Sequence, residues 1–345
     1  MIQTDGNSLH KYSFIDLFAG IGGFHLALQS MGAHCVFASE WDKWAAETYE
    51  KNFHVKPSGD LTQIDEKEIP HHDVLCAGFP CQAFSISGKQ KGFEDTRGTL
   101  FFDIARIAAY HKPKVLFLEN VKNLVKHDGG NTLKTITNTL KELGYTVITK
   151  VLNSSHFGLP QNRERIYIVC FHQSIASESF TFPIPPNIPV CLQDILESEP
   201  KNAKIIERED IEIYRDYTVS GSLFSEIELL NKPIQIGKVN KGGQGERIYH
   251  PLGHAITLSA YGGGVGSKTG LYWVNGKIRK LSPRECARVQ GFPDHFILSP
   301  MDTQSYKQFG NSVSVNVLQH ILLEINKVLT ASKYKSLNDK VELYA

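Results

Sequence analysis

No apolar run in this 345-residue chain approaches the roughly 20 residues needed to span a bilayer. Residues 1–12 lack the apolar centre of a secretory signal. The expectation is a soluble, folded, cytoplasmic protein with no membrane partner. Cysteine is sparse and scattered: Cys35, Cys76, Cys81, Cys170, Cys191 and Cys286 form no Cys-x-x-Cys pair. That spacing argues against a zinc site or a disulfide framework and suits reduced thiols, so no metal is expected. Five of the six lie in apolar or helical surroundings and read as small core residues; Cys81 does not. There is no internal repeat. With 41% hydrophobic and 21% charged residues, wholesale disorder is excluded. The length suits two domains, or one with a large insertion.

A net charge of +1 conceals an uneven distribution. Residues 191–230 hold ten acidic and four basic side chains, whereas residues 231–290 hold ten basic and two acidic ones. A basic segment within a neutral protein can gather a polyanion on one face, although an ordinary solvated surface would look the same.

The first 170 residues alternate short apolar strands (13–18, 35–39, 74–78, 114–119, 146–153 and then 165–171) with amphipathic helices (23–31, 43–53, 99–110 and 131–143). Such alternation implies an α/β fold, a mostly parallel sheet covered on both faces, with ligands at the carboxyl ends of its strands. Pro183, Pro185, Pro186 and Pro189 suit an extended linker. Residues 233–280 contain 11 of the 28 glycines, which excludes a helix and reads as strands joined by tight turns. Ser282, Pro283 and Glu285 mark the start of a helix over 282–289, and 314–329 forms another. The expected domains are 1–190, completed by 303–335, and 191–302, with a polar tail over 336–345.

The turn Asp16-Leu-Phe18-Ala-Gly20-Ile-Gly22-Gly23 joins the first strand to the first helix, where a ligand could approach the backbone closely. The third glycine of a dinucleotide fingerprint is missing. Glu40 ends the second strand, where an acid can grip ribose hydroxyls. Asp60, after a third weak strand, is placed to meet a base, and Phe18 and Trp41 could sandwich an adenine. A nucleoside cofactor without pyrophosphate fits best, and S-adenosyl-L-methionine is the common one; a glycine turn packing helix on strand is the alternative. Gly262 to Thr269 nearly matches a phosphate loop, but Ser267 replaces the required glycine and a strand-like segment follows.

Gly78-Phe-Pro80-Cys81-Gln82 follows a strand, so Pro80 would aim the Cys81 thiol from the sheet edge. Gly88, Lys89, Lys91, Gly92, Arg97 and Gly98 suggest a loop able to close on an anion. A thiolate is intrinsically very nucleophilic even when scarce. Glu119 ends the next strand, where a buried carboxyl could hold a proton against a ring nitrogen. Arg163 and Arg165 would lie on one side of the following strand, in catalysis or merely paired with Glu119 or with helix ends. A thiolate, a carboxylic acid and a sulfonium methyl donor together solve one problem: carbon 5 of cytosine becomes nucleophilic only after thiol addition at carbon 6 with protonation of nitrogen 3.

On these motifs the chain resembles the bacterial cytosine-5 DNA methyltransferases. Phe18-Ala-Gly-Ile-Gly-Gly, Pro80-Cys81-Gln82, Glu119-Asn-Val, Gln161-Asn-Arg163-Glu-Arg165, Arg284-Glu-Cys-Ala-Arg288 and Gly310-Asn311-Ser312-Val313 follow in the family's order. The resemblance implies a Rossmann-like S-adenosylmethionine-dependent core, yielding S-adenosyl-L-homocysteine, and a smaller, mostly-β target-recognition domain. It makes Cys81, Glu119, Arg163 and Arg165 catalytic. Phe18, Gly20, Gly22, Gly23, Glu40, Trp41, Asp60, Gly78, Pro80, Asn311 and Ser312 would bind the cofactor. Residues 76–94, 241–249 and 255–264 narrow the resemblance to methylation of the inner cytosine of 5′-GCGC-3′, with departures at 250–254 and 265–267.

That substrate implies flipping of the base out of double-stranded DNA. The same resemblance puts Gln244 in the vacated stack with Ser87 opposite, Arg247 on a guanine edge, and Thr257 and Tyr261 beside bases or phosphates. Lys89, Lys91, Lys241 and Lys268 would contact phosphates, while His71, His72 and His127 read as solvated loop residues. It further implies a restriction–modification setting beside a separate cognate endonuclease, on nucleoid DNA, while the asymmetry of the site favours a monomer. Two rivals remain at this level: transfer-RNA cytosine-5 methylation and a non-catalytic DNA-binding protein. An oxidoreductase is more distant.

Overall fold

A computed structural model describes residues 8–80, 100–214, 232–243, 245–261 and 264–342. Strands β1 (Ser13–Leu17), β2 (His34–Ser39), β3 (Val74–Gly78), β4 (Val115–Val121), β5 (Tyr145–Asn153) and β6 (Glu164–His172) form one sheet in the order β2-β1-β3-β4-β6-β5. All neighbours run parallel except β6, which opposes both β4 and β5. The chain therefore leaves β1 in opposite directions toward β2 and β3, opening a crevice at their carboxyl ends.

Period-two alternation divides the core. Phe14, Cys76, Phe117, Val169 and Phe171 point to one face, and Ile15, Leu75, Leu116, Ile168 and Cys170 to the other. The first face is covered by α1 (Gly23–Gln29), α2 (Lys43–Phe53) and the long final helix Val315–Glu342, through Leu28, Tyr49, Leu318, Ile321 and Ile325. The second carries α3 (Leu100–His111) and α4 (Asn131–Glu142), through Ile104, Ala108, Ile136 and Leu140. Asp42 caps α2 by accepting from the amides of Trp44 and Ala45.

Residues 183–190 have no regular structure, as the prolines require. Beyond them a second sheet contains β7 (Glu212–Ile213), β8 (Ile234–Lys238), β9 (Arg247–His250), β10 (Leu271–Val274) and β11 (Lys277–Arg279), in the order β11-β10-β9-β8-β7. The near-phosphate-loop turn runs into β10 rather than a helix, so its glycines serve a strand connection. Gly266 has no room for a Cβ between the Gly245 carbonyl and Leu271.

α5 (Pro283–Val289) starts in the expected capping box between Ser282 and Glu285. The Glu285 carboxylate is also held by both terminal nitrogens of Arg279, at 2.7 and 2.8 Å, and accepts from the Glu197 amide. Arg279 and Glu285 are 6% and 0% exposed at their side chains. Removing one charge strands the other in the interior, so Arg279→Met is expected to destabilise the fold by about 3–5 kcal/mol, measured by chemical denaturation.

Three details depart from the sequence reading. Asp60 follows no strand; it caps the single turn Leu61–Gln63 through the Thr62 amide. His72 is fully buried, with Nδ1 against the Pro70 carbonyl, rather than solvated. A further helix, α6 (Asp302–Asn311), precedes the last helix, α7 (Val315–Glu342).

Candidate active site at the carboxyl edge of the sheet

The turn after β1 is built from left-handed backbone: Phe18, Gly20 and Gly22 have φ of 53°, 56° and 84°. At Gly22 a Cβ would collide with the Phe53 ring, so glycine is needed for both conformation and space. Gly23, which opens α1, packs under Val313 and Ser312. The chain's last motif thus closes the far side of the crevice. Glu40 at the end of β2 is buried, accepting from the Gly20 amide at 2.8 Å and the Asp42 amide at 2.7 Å. It locks the glycine turn to the start of α2, and burial pushes its carboxyl up.

Trp41 is 81% exposed beside this turn. Ser39 donates to the Gly59 carbonyl at 2.9 Å, which sets exposed Asp60 next to the end of β2. Asn311 is exposed while Ser312 is buried.

β3 ends at Gly78 directly opposite Glu119 on β4. A Cβ at Gly78 would touch Glu119 Oε2 and Val313, so the carboxyl borders the same crevice as the glycine turn. Asn120 donates to the Phe79 carbonyl at 2.8 Å and fixes the chain leading to exposed Pro80. Cys81, Ser87, Lys89 and Lys91 lie outside the described residues, as does Gln244. Arg165 Nε stands 3.1 Å from Glu119 Oε1. Burial raises the Glu119 carboxyl above its ordinary range, and the Arg165 and Arg163 charges pull it back only in part. The result is a buried acid held in one orientation and disposed to keep a proton.

The two arginines serve different neighbours. Arg163 precedes β6, and its guanidinium donates to the carbonyls of Leu258, Gly310 and Ser312 at 3.1, 3.1 and 2.6 Å. Burial lowers it to about 9, so it remains charged at neutral pH.

A model of the C-5 cytosine-specific DNA methylases matches residues 12–327. The chain belongs to this family. It is 55% identical to the type II methyltransferase M.HhaI of Haemophilus parahaemolyticus, over 97% of this chain and all of that one. It is 46% identical to M.HpaII of Haemophilus parainfluenzae, over 92% and 90% of the two chains. Two solved structures share the fold: Dnmt2 of S. pombe, with TM-score 0.65, 19% identity and 91% and 98% coverage, and the methyltransferase EhMeth of Entamoeba histolytica, with TM-score 0.67, 18% identity and 92% and 98% coverage. The resemblance stated from the motifs therefore holds: the protein is a Rossmann-like cytosine-5 DNA methyltransferase.

In this methylase, two of the residues expected to meet DNA line one cleft. Arg247 and Thr257 border it with Asn162, Pro233, Tyr249 and Ile256. Exposed Arg247 reaches the Gly242 carbonyl at 3.3 Å, Thr257 donates to the Asn162 carbonyl, and Tyr261 is 73% exposed. Lys268 lies near the Thr303 carbonyl. Sequence reading gave no role to Asp16, which is fully buried; burial holds its carboxyl well above the usual range, and the His25 amide pulls it back only in part. Nor did it give a role to Gln161, named only as the start of its motif, or to Gln290, both fully buried, because an uncharged amide gives no charge or periodicity signal. Among the described residues no helix is long and apolar enough to cross a membrane.

Proposed function

We propose that the enzyme methylates the inner cytosine of 5′-GCGC-3′ in duplex DNA, as the modification component of a restriction–modification system. The observation that carries the chemistry is the buried Glu119 carboxyl, fixed by Arg165 opposite Gly78 at the edge from which Cys81 follows. The proposed substrate is a cytosine flipped into this crevice. Cys81 adds to carbon 6 while Glu119 gives a proton to nitrogen 3, which makes carbon 5 nucleophilic. Loss of the carbon 5 proton later expels the thiolate, and return of the nitrogen 3 proton to Glu119 restores the neutral ring. Arg165 holds Glu119 in position, and Arg163 secures the surrounding backbone.

S-adenosylmethionine suits the cradle: the turn at Gly20 has open space where a side chain would stand, Trp41 offers a free ring face, and Asp60 is exposed. Bound there, it supplies an electrophilic methyl group. Phe18, Gly22, Gly23, Glu40, Gly78, Pro80, Asn311 and Ser312 complete our cofactor assignment. For DNA we assign Gln244 to the vacated stack, Ser87 to the opposite groove, Arg247 to a guanine, and Lys89, Thr257 and Tyr261 to bases or phosphates. The domain division at about residues 190 and 302, the monomeric state, a separate cognate endonuclease and a cytoplasmic, DNA-associated location belong to the same reading. The 55% identity to M.HhaI supports it.

Bisulfite sequencing of plasmid DNA from cells expressing the chain tests it. Protection is expected at the inner cytosine of GCGC sites and not elsewhere. Protection at another sequence would overturn the specificity, and none anywhere would overturn the activity.

A further inference from the structure

Residues 160–163 form a strap whose two sides belong to different sites. On one side the backbone is zipped to the DNA-facing segment: the Ala255 amide donates to the Pro160 carbonyl at 2.7 Å, and the Asn162 amide to the Ala255 carbonyl at 3.0 Å. The Leu258 amide then donates to Gln161 Oε1 at 3.0 Å. On the other side, Gln161 Nε2 donates to the Val289 carbonyl at 3.3 Å and to Gln290 Oε1 at 3.2 Å. Gln290 Nε2 in turn reaches the Phe309 carbonyl at 2.8 Å, while Ser314 Oγ donates to Gln290 Oε1 at 3.0 Å. Arg163 spans the same gap from Leu258 to Gly310 and Ser312.

Gly310 itself lies so close to Ser259 and Ala260 that a Cβ would overlap the Ala260 amide. Segment 255–260 and the rim at 309–312 are thus in backbone contact and share one buried amide relay. A close-packed interior does not absorb a shift of one partner without moving the other.

We propose that Gln161 is a positioning residue that couples engagement of DNA by segment 255–261 to the shape of the cofactor rim at 309–312. The side chain is fully buried, and its amide links Leu258 to Gln290, whose own amide reaches the Phe309 and Ser312 carbonyls. Because such coupling is reciprocal, duplex DNA tightens cofactor binding through the relay and the cofactor tightens DNA binding to the same extent. This rests on the assignments of Thr257 and Tyr261 to DNA and of Asn311 and Ser312 to the cofactor.

The test is equilibrium binding of S-adenosylhomocysteine to the full chain, with and without a duplex carrying the target sequence. In the wild-type protein the duplex is expected to tighten binding by at least about fivefold, the lower end of typical couplings. Gln161→Met retains the shape but not the hydrogen bonds; it should bind within about threefold of wild type without DNA and lose most of the duplex-dependent gain. Gly310→Ala, which forces the rim from Ala260 while leaving Gln161 intact, should lose the gain too and serves if Gln161→Met does not fold. A Gln161→Met protein that keeps the wild-type gain overturns the proposal. So does equal weakening with and without DNA, which would make the role merely structural, or a methylating wild type with no gain at all. A wild type that methylates no duplex defeats the underlying functional reading instead, and a parallel methyl-transfer assay separates the two failures.

Discussion

Cys81→Ser should abolish methyl transfer while leaving binding of duplex DNA intact. Serine is nearly isosteric, but its hydroxyl is far less acidic than a thiol, so the population able to add to carbon 6 falls away. Loss of an attacking group of this kind costs on the order of 10⁴–10⁶-fold in turnover. On the assignment proposed above, DNA affinity rests instead on phosphate contacts and on Arg247, Thr257 and Tyr261, which the substitution does not touch. The corresponding trap is DNA with 5-fluorocytosine at the target: the fluorine cannot leave as a proton does, so the wild-type enzyme should form an adduct that survives denaturant, and Cys81→Ser should form none. Substantial residual methylation by the serine variant, or no adduct with the wild type in the presence of methyl donor, would remove the covalent step.

How far such chemistry can be read from sequence depends on where each residue takes its partners. The glycine turn and the Ser282 capping box were legible because local backbone geometry demands those residues at those spacings. Glu119 was legible because a strand end in an α/β sheet faces the crevice by topology alone. The reversal of β6 was not, since an apolar strand carries no mark of its direction. It follows from the short 154–163 connection, because a parallel crossover takes a dozen or more residues. The side-by-side reading of Arg163 and Arg165 assumed a strand that in fact begins at Glu164. Outside the strand, Arg163 turns to carbonyls nearly a hundred or more positions away in sequence. The role of Gln161 and the helix α6 were hidden for the same reason: their partners are distant, and α6 buries only Ser305, Gln308, Phe309 and Gly310. Such a helix has little apolar stripe to detect.

Glu119→Gln is the sharper test of the acid. Glutamine keeps the shape and can still lie beside Arg165, but its amide N–H groups are far too weakly acidic to transfer a proton to nitrogen 3. Turnover should fall by about 10²–10⁴-fold, the usual worth of a positioned general acid, with cofactor binding little changed. The sign of the pH effect separates this from misfolding. Burial raises the native carboxyl above its ordinary value of 4.5, so folding takes up a proton in the interval above that value. In the wild type Glu119 therefore contributes stability that is present below pH 4.5 and lost as pH rises through the raised value. Glutamine does not titrate, so denaturation of Glu119→Gln across this interval should lack that decline. A variant as inactive as expected but no less stable at neutral pH identifies Glu119 as the proton donor. Near-wild-type turnover would assign the carboxyl to holding Arg165 and require another source for the proton.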